Sequence, residues 1–204
     1  MKKIIEIDWN RFKVKFSGKE QKFFEWLCYL LFCKEFKQNI GIPGYKNHAG
    51  IETDPIEING EKIGWQAKFY DTRLSEHKKD FIESINTTKN RHPKINKIIF
   101  YTNQNFGQGK TKNDPKYKTE IEKHAKSKNT EIEWKTDNYF RSPFVCEENA
   151  DIAQHFFSID KSIIDFIGEL TQHTESILTS IHSKIKFNDN EIKIDRSQAI
   201  KNLK

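Results

Sequence analysis

The chain has 204 residues, which is enough for one domain with its own hydrophobic core and a small appendage. Lys and Arg total 35 against 29 Asp and Glu, and the net charge of +6 is compatible with a polyanionic partner without being specific for one. The longest apolar stretch, Trp26–Cys33, is too short to span a bilayer, and the three cysteines match no zinc or redox spacing. Composition therefore argues against membrane proteins, zinc proteins and disulfide scaffolds, and it favours a cytoplasmic protein.

The first predicted element is a helix over Lys19–Phe36, where apolar residues recur at helical spacing. Ser17 precedes this helix and is a candidate for its N-terminal cap. Glu25 lies inside the apolar run Phe23–Cys33, and a carboxylate in such a run is costly unless it is exposed, paired or bound to a metal. The segment Asn39–Gly50 contains three glycines and a proline, which favours irregular backbone.

A β-hairpin is predicted next, because Asn59-Gly60 separates the β-favouring runs Ile51–Ile58 and Ile63–Phe69. Helices and strands alternate after the hairpin. The predicted elements are a helix over Asp71–Lys89, a strand over Lys97–Thr102, a helix over Asp114–Lys126 and a strand over Glu131–Lys135. This order predicts an α/β fold with a central mixed β-sheet flanked by helices.

The sequence changes character near Arg141–Asn149, which predicts a core over residues 1–142 and a helical extension over residues 143–204. The elements predicted in the extension are a helix over Ile152–Ile181, a small hairpin over Ile185–Ile194 and a helix that begins at Asp195 or Ser197. The last helix would have only two turns and no cap before residue 204. The chain is therefore expected to be cut from a longer protein, with a naturally frayed end as the alternative.

Polar side chains on both arms of the hairpin form a candidate site. Side chains alternate faces along a strand, so Glu52 and Asp54 share a face of the first arm. Gln66 and Lys68 share a face of the second arm for the same reason. Carboxylate and amide oxygens are ligands that Mg²⁺ prefers, and an ammonium group beside them can stabilise developing negative charge on a phosphate. This set suits metal-assisted hydrolysis of phosphodiesters.

The turn of the hairpin decides whether the two faces coincide. A two-residue turn at Asn59-Gly60 would pair Thr53 with Gln66 and leave the carboxylates on the opposite side. A three-residue turn that includes Glu61 would shift the pairing by one residue and bring the acids opposite the amide and the ammonium. The proposed chemistry requires the second arrangement. Each of these polar residues, taken alone, is better explained as part of a solvated strand face or polar edge.

The order of helix acid, hairpin acid and Gln66-Ala67-Lys68 resembles the PD-(D/E)xK nuclease superfamily, specifically its Mrr-like restriction-endonuclease branch. The run Gly50-Ile51-Glu52 is similar to the Gly-Ile-Asp of Mrr-like enzymes. Asp54-Pro55 offers an alternative acid, because the usual Pro-Asp order of the family is absent, and the choice between the two acids stays open. Glu25 matches the acid that many members carry on their first helix.

This resemblance implies a restriction-endonuclease-like core of helix, three-stranded meander, helix and strand. It implies that Mg²⁺ or Mn²⁺ is ligated by the hairpin acid (Glu52 or Asp54), by the Gln66 side chain and by the main-chain oxygen of Ala67, with Glu25 as a further metal ligand. It also implies that Lys68 acts on the nucleophile or the transition state. The implied activity is that of a DNA endonuclease with low sequence specificity, because no feature predicts recognition of bases.

A finer resemblance links the chain to the N-terminal nuclease modules of bacterial anti-phage STAND ATPases, the AVAST defence proteins. It is carried by the segments FEWLCYLLF, GIETDPIEINGEKIGWQAKFYD and IIFYTN, and by the tail from Ile177 to Lys204, which is similar to the stretch before their ATPase domain. It implies an effector that cuts double-stranded DNA after self-association as a dimer or tetramer. The absent ATPase and sensor regions would drive that assembly and detect a phage protein.

Two alternatives to the endonuclease remain at this stage. One is a nucleic-acid-binding module with the same fold and a catalytically silent site. The other is an oligomerisation module that docks onto a larger partner through Ile152–Ile181.

Overall fold

The structure of the protein is a computed structural model that describes residues 4–38, 50–107 and 114–158, together with the backbone of residues 185–187 and 190–192. The chain divides into two compact units, Met1–Ser158 and Ile159–Lys204. The boundary predicted after residue 142 lies inside the first unit, because the helix Ala150–Phe157 contacts the two helices at the start of the chain. No helix in the described ranges is long and apolar enough to cross a membrane.

The first unit alternates helices and strands. Its elements are α1 Trp9–Lys15, α2 Glu20–Glu35, β1 Ile56–Ile58, β2 Glu61–Lys68, a 3₁₀ turn Leu74–His77, α3 Lys78–Arg91, β3 Lys97–Thr102, α4 Lys116–Ser127, β4 Glu131–Lys135, α5 Asp137–Phe140, a π-helical turn Phe144–Glu148 and α6 Ala150–Phe157. The bounds of β3 and β4 are those predicted, and the predicted helices differ from the observed ones mainly at their ends. Helix α1, which Asp8 caps by accepting hydrogen bonds from two main-chain amides, was not predicted.

In the second unit, β5 (Ile185–Phe187) and β6 (Asn190–Ile192) pair in antiparallel fashion, which confirms the small predicted hairpin. Helix α6 ends at Phe157 and Ser158 is extended, so the helix predicted over Ile152–Ile181 is interrupted there. Residues 159–181 and the predicted helix from Asp195 or Ser197 lie outside the described residues.

The four strands of the first unit form one mixed sheet in the order β1-β2-β3-β4. Strand β1 is antiparallel to β2, whereas β2, β3 and β4 are mutually parallel and are connected through α3 and α4. Parallel neighbours require such crossovers, and the alternation of helices and strands along the sequence supplies them. The predicted α/β class with a mixed sheet flanked by helices is confirmed. Only two strands of the described sheet, β1 and β2, pair in antiparallel fashion, whereas the resemblance to PD-(D/E)xK nucleases implies a meander of three.

Helices cover both faces of this sheet. On one face α1, α2 and α6 pack against a cluster that includes Trp65 and Tyr101. On the other face α3 and α4 pack against Ile98 and Phe100. Strand β3 is buried on both sides because it contributes to both clusters, which explains why its sequence is a continuous apolar run. The face on which each β2 side chain lies follows from the same alternation.

Two local predictions are wrong. Ile58 pairs with Glu61, so the hairpin closes with a two-residue turn at Asn59-Gly60 and not with three residues. Both turn residues have positive φ, 50° and 83°, a conformation that Asn and Gly adopt at low cost. Ser17 does not cap α2 either, because the cap position is Lys19 and no side chain bonds the first amides of that helix.

Candidate functional site

The first arm of the hairpin leaves the sheet before it reaches the predicted acids. Strand β1 begins at Ile56, so the second half of β2 has no regular ladder partner on that edge. Instead, the main-chain N–H of Glu52 donates to the carbonyl of Trp65 at 3.0 Å. The indole N–H of Trp65 donates to the buried Thr53 hydroxyl at 2.9 Å. These two bonds hold Glu52 beside the carboxyl-terminal half of β2, although the hairpin has the two-residue turn.

Gly50 fixes where this segment starts. Its φ of +90° lies in the left-handed region, and an added Cβ would lie 2.5 Å from Thr88 Oγ1 and 2.6 Å from the Thr88 nitrogen. Thr88, which is buried in α3, donates its hydroxyl to the Gly50 carbonyl at 2.7 Å. The position of the acidic segment is therefore set by helix α3 as well as by β2.

The Glu52 carboxylate lies in a partly buried position against the strand. Its Oε1 accepts a long hydrogen bond of 3.4 Å from the Ala67 N–H. Burial and the nearby Glu25 carboxylate raise the pKa of Glu52 to about 7, while the Ala67 N–H and the Lys68 ammonium act in the opposite direction. A carboxyl group with this pKa exchanges its proton near neutral pH, so a small change in local charge decides whether it is ionised.

Helix α2 brings Glu25 to the same end of β2. The Gln21 side chain, one turn before Glu25, donates from Nε2 to Glu25 Oε1 at 2.8 Å and to the Ala67 carbonyl at 2.9 Å. Gln21 Oε1 accepts from the Phe69 N–H at 2.8 Å. Gln21 is not among the predicted site residues, and its only sequence signal is the spacing of four residues from Glu25.

Lys68 ends β2 within reach of several carboxylates. Burial lowers the pKa of Lys68, and the charges of Asp80, Glu52, Glu25 and Glu83 oppose that effect. Asp80 and Glu83 belong to α3, which covers the Lys68 face of the sheet, and neither was predicted. A partly desolvated ammonium interacts strongly with the carboxylates around it, because water screens the interaction less.

The side-chain amide oxygen of Gln66 is a hydrogen-bond acceptor that receives no hydrogen bond from the described residues. This Oε1 atom is buried. Unpaired buried acceptors are rare and costly, so such an atom in a folded protein needs a physical explanation. An amide oxygen in this setting can accept from a ligand or bind a hard cation.

Glu52 is linked electrostatically to the other charged residues of the candidate site, because Glu25 and Lys68 both shift its pKa. Lys68 in turn is influenced by Glu52 and Glu25. Of the predicted residues, these three charged groups come together, and Gln66 lies next to them in the strand.

The donor set fits Mg²⁺ or Mn²⁺. Among the described residues, no group of three His, Cys, Asp or Glu side chains could hold a metal ion. The oxygens at this site are instead two carboxylates, Glu25 and Glu52, and the buried Gln66 amide. Magnesium prefers oxygen ligands and retains several waters, so one or two carboxylates with an amide oxygen are a sufficient protein contribution.

A cavity of about 430 Å³ lies at the other end of the sheet. It is lined by the first residues of β2 and β4, the loops before β3 and β4 and the last turn of α4: Glu61, Asn96, Lys126, Asn129, Thr130 and Glu131. None of the predicted site residues contributes to it. Its lining is largely polar.

No protein-family model matches this sequence, and no curated protein is significantly similar to it.

Proposed function

We propose that this chain is a metal-dependent nuclease that hydrolyses DNA phosphodiester bonds. One observation carries the proposal: two carboxylates, a partly desolvated ammonium and a buried amide oxygen without a donor meet at the carboxyl end of β2. Such a mixture is unfavourable as a purely structural cluster, because burial of the groups raises the pKa of Glu52 and leaves Gln66 Oε1 unpaired. A divalent cation and a phosphate would satisfy both groups.

The charge of each residue determines its proposed role. Glu25, Glu52 and Gln66 Oε1 would hold the ion, which supplies Lewis-acid polarisation of a phosphoryl oxygen and acidifies water. Lys68 would bind the phosphoryl oxygens and stabilise the negative charge that they gain in the transition state. Asp80 and Glu83 favour the charged form of Lys68 and oppose the effect of burial on its pKa. No sequence feature predicts recognition of bases, so cleavage with low sequence specificity is expected.

The finer identity belongs to the same proposal. The Gln66-Ala67-Lys68 motif at the end of β2, with Glu25 on the preceding helix, supports a restriction-endonuclease-like nuclease of the PD-(D/E)xK type. Under this proposal the chain is the cytoplasmic effector module of an anti-phage defence protein that acts on double-stranded DNA. Self-association driven by a parent ATPase that senses a phage protein would then bring several such sites to the same DNA. The net charge of +6 is consistent with a polyanionic substrate.

Plasmid cleavage tests the proposal. The wild-type chain and a Lys68→Ala variant are incubated with supercoiled plasmid and Mg²⁺ or Mn²⁺, and each is also prepared as a fusion to a tetrameric coiled coil, which supplies clustering. Lys62→Ala is the matched control, because Lys62 lies on the same strand and face but at the opposite end. Loss of Lys68 is expected to reduce the cleavage rate by at least about 100-fold, and loss of Lys62 is expected to leave it unchanged.

Two outcomes would contradict the proposal. Equal cleavage by wild type and Lys68→Ala would place the chemistry elsewhere or in a contaminant. Metal-dependent cleavage by neither the free nor the clustered wild-type chain, with DNA binding retained, would favour the silent nucleic-acid-binding module.

A further inference from the structure

Gln21 uses both polar ends of its side chain to join helix α2 to the end of β2. Its Nε2 donates to Glu25 Oε1 at 2.8 Å and to the Ala67 carbonyl at 2.9 Å. Its Oε1 accepts from the Phe69 N–H at 2.8 Å. One side chain thus sets the distance between the helix carboxylate and the strand that carries the other site residues.

Three specific hydrogen bonds are unusual for a side chain at the surface. Gln21 is exposed, and exposed hydrogen bonds contribute little to stability because water replaces them. The carboxylate and carbonyl oxygens each retain a second lone pair after accepting one bond from the amide. The Gln21 amide therefore orients Glu25 without using up its capacity to bind a cation, which is how partners of metal ligands act.

We infer that Gln21 is a positioning residue that aligns the Glu25 carboxylate with the β2 oxygens for metal binding. The inference rests on the proposed metal site, and it assigns Gln21 no contact with the substrate. Without the Nε2 donor, the Glu25 side chain would be free to occupy other rotamers, and the metal site would lose its preorganised geometry. A residue with this role controls metal affinity more than it controls folding.

Direct measurement of Mn²⁺ binding tests this inference apart from activity. Calorimetry or electron paramagnetic resonance is applied to wild type, Gln21→Met and Lys22→Ala. Methionine preserves the length of the side chain and the helix propensity but removes both polar ends. Lys22 is the adjacent exposed residue of the same helix and serves as the control. The expected result is a dissociation constant about 10- to 100-fold higher for Gln21→Met, with thermal midpoints alike for Gln21→Met and Lys22→Ala.

Cleavage data should show the same pattern as binding. Gln21→Met is expected to need more Mn²⁺ for half-maximal cleavage and to approach the wild-type rate at saturating Mn²⁺. If wild type binds Mn²⁺ and Gln21→Met binds it equally well, the positioning role is overturned and the nuclease proposal stands. If wild type binds no Mn²⁺, both proposals are overturned. A large drop in the thermal midpoint of Gln21→Met alone would show a structural role and overturn the inference as well.

Discussion

Replacing Glu52 with glutamine should stabilise the protein at alkaline pH when no metal is present. Burial and the Glu25 charge raise the pKa of Glu52 from 4.5 to about 7. Because this pKa is higher in the folded state than in the unfolded chain, the folded state binds the proton more tightly. The associated stability is fully present below pH 4.5 and is lost as pH rises through 7. Glutamine has the same shape as protonated glutamate and does not lose this stability.

The size of the effect follows from the pKa change. At about 1.36 kcal/mol per pKa unit, the change corresponds to at most about 3 kcal/mol, and partial exposure of Glu52 reduces the expected value to about 2 kcal/mol. Urea unfolding in EDTA, followed by tryptophan fluorescence at about pH 5 and about pH 8.5, measures it directly. Glu52→Gln should differ little from wild type at the lower pH and be more stable at the higher pH.

Glu57→Gln is the control for this experiment. Glu57 is an exposed glutamate on β1 of the same hairpin, so its replacement should change the free energy of unfolding by less than about 0.5 kcal/mol at either pH. Destabilisation by Glu52→Gln at alkaline pH, or an equal shift at both pH values, would refute the claim that Glu52 is held ionised at a cost. Burial and the Glu25 charge would then impose no free-energy cost on the ionised Glu52 carboxylate that a bound cation could relieve.

Two further predictions concern the scaffold, and urea unfolding measures both. Gly50→Ala should lower the free energy of unfolding by at least about 3 kcal/mol, because its Cβ would overlap Thr88 at a positive φ. Gly60→Ala should cost only about 1 kcal/mol, since it shares the positive φ but has open space around it; equal costs would contradict the packing argument. Lys135→Ala should cost about 2 kcal/mol, because this buried lysine donates to Glu35 at 2.6 Å and its loss leaves that carboxylate without its cation. A near-neutral result would show that the Lys135 pair does not stabilise the fold.

The elements that the sequence predicts best are those whose pattern has one physical explanation. The apolar run Lys97–Thr102 is buried on both faces of the sheet, and its predicted bounds are the observed ones. The Asn59-Gly60 pair correctly predicts the hairpin, because both residues accept positive φ. Helix α1 was missed because its seven residues include only one fully buried side chain, Phe12, which is too little for a periodic signal.

The hairpin register shows that Glu52 can lie beside β2 by a route other than the predicted geometry. The predicted register assumed regular alternation from Ile51 to Ile58, but Pro55 has no N–H to donate and β1 starts only after it. The segment before Pro55 is therefore free of the ladder, and Glu52 reaches the edge of β2 through its own main-chain bond to Trp65. Side chains alternate between the two faces of the sheet only within a strand, so alternation does not predict the positions of residues before β1.

The positions of Gln21 and Asp80 could not be predicted, because a polar residue on a helix surface has the same sequence signal whether it faces solvent or a site. Their roles depend on which helix covers which face of β2, and this is a property of the tertiary fold. The same fold explains why the site lies at the carboxyl end of β2. At that end β1 does not pair with β2, so one edge of the strand is open. Helix α2 places Glu25 near Lys68, and helix α3 places Asp80 near it. Over residues 61–63, by contrast, β1 pairs with that edge of β2.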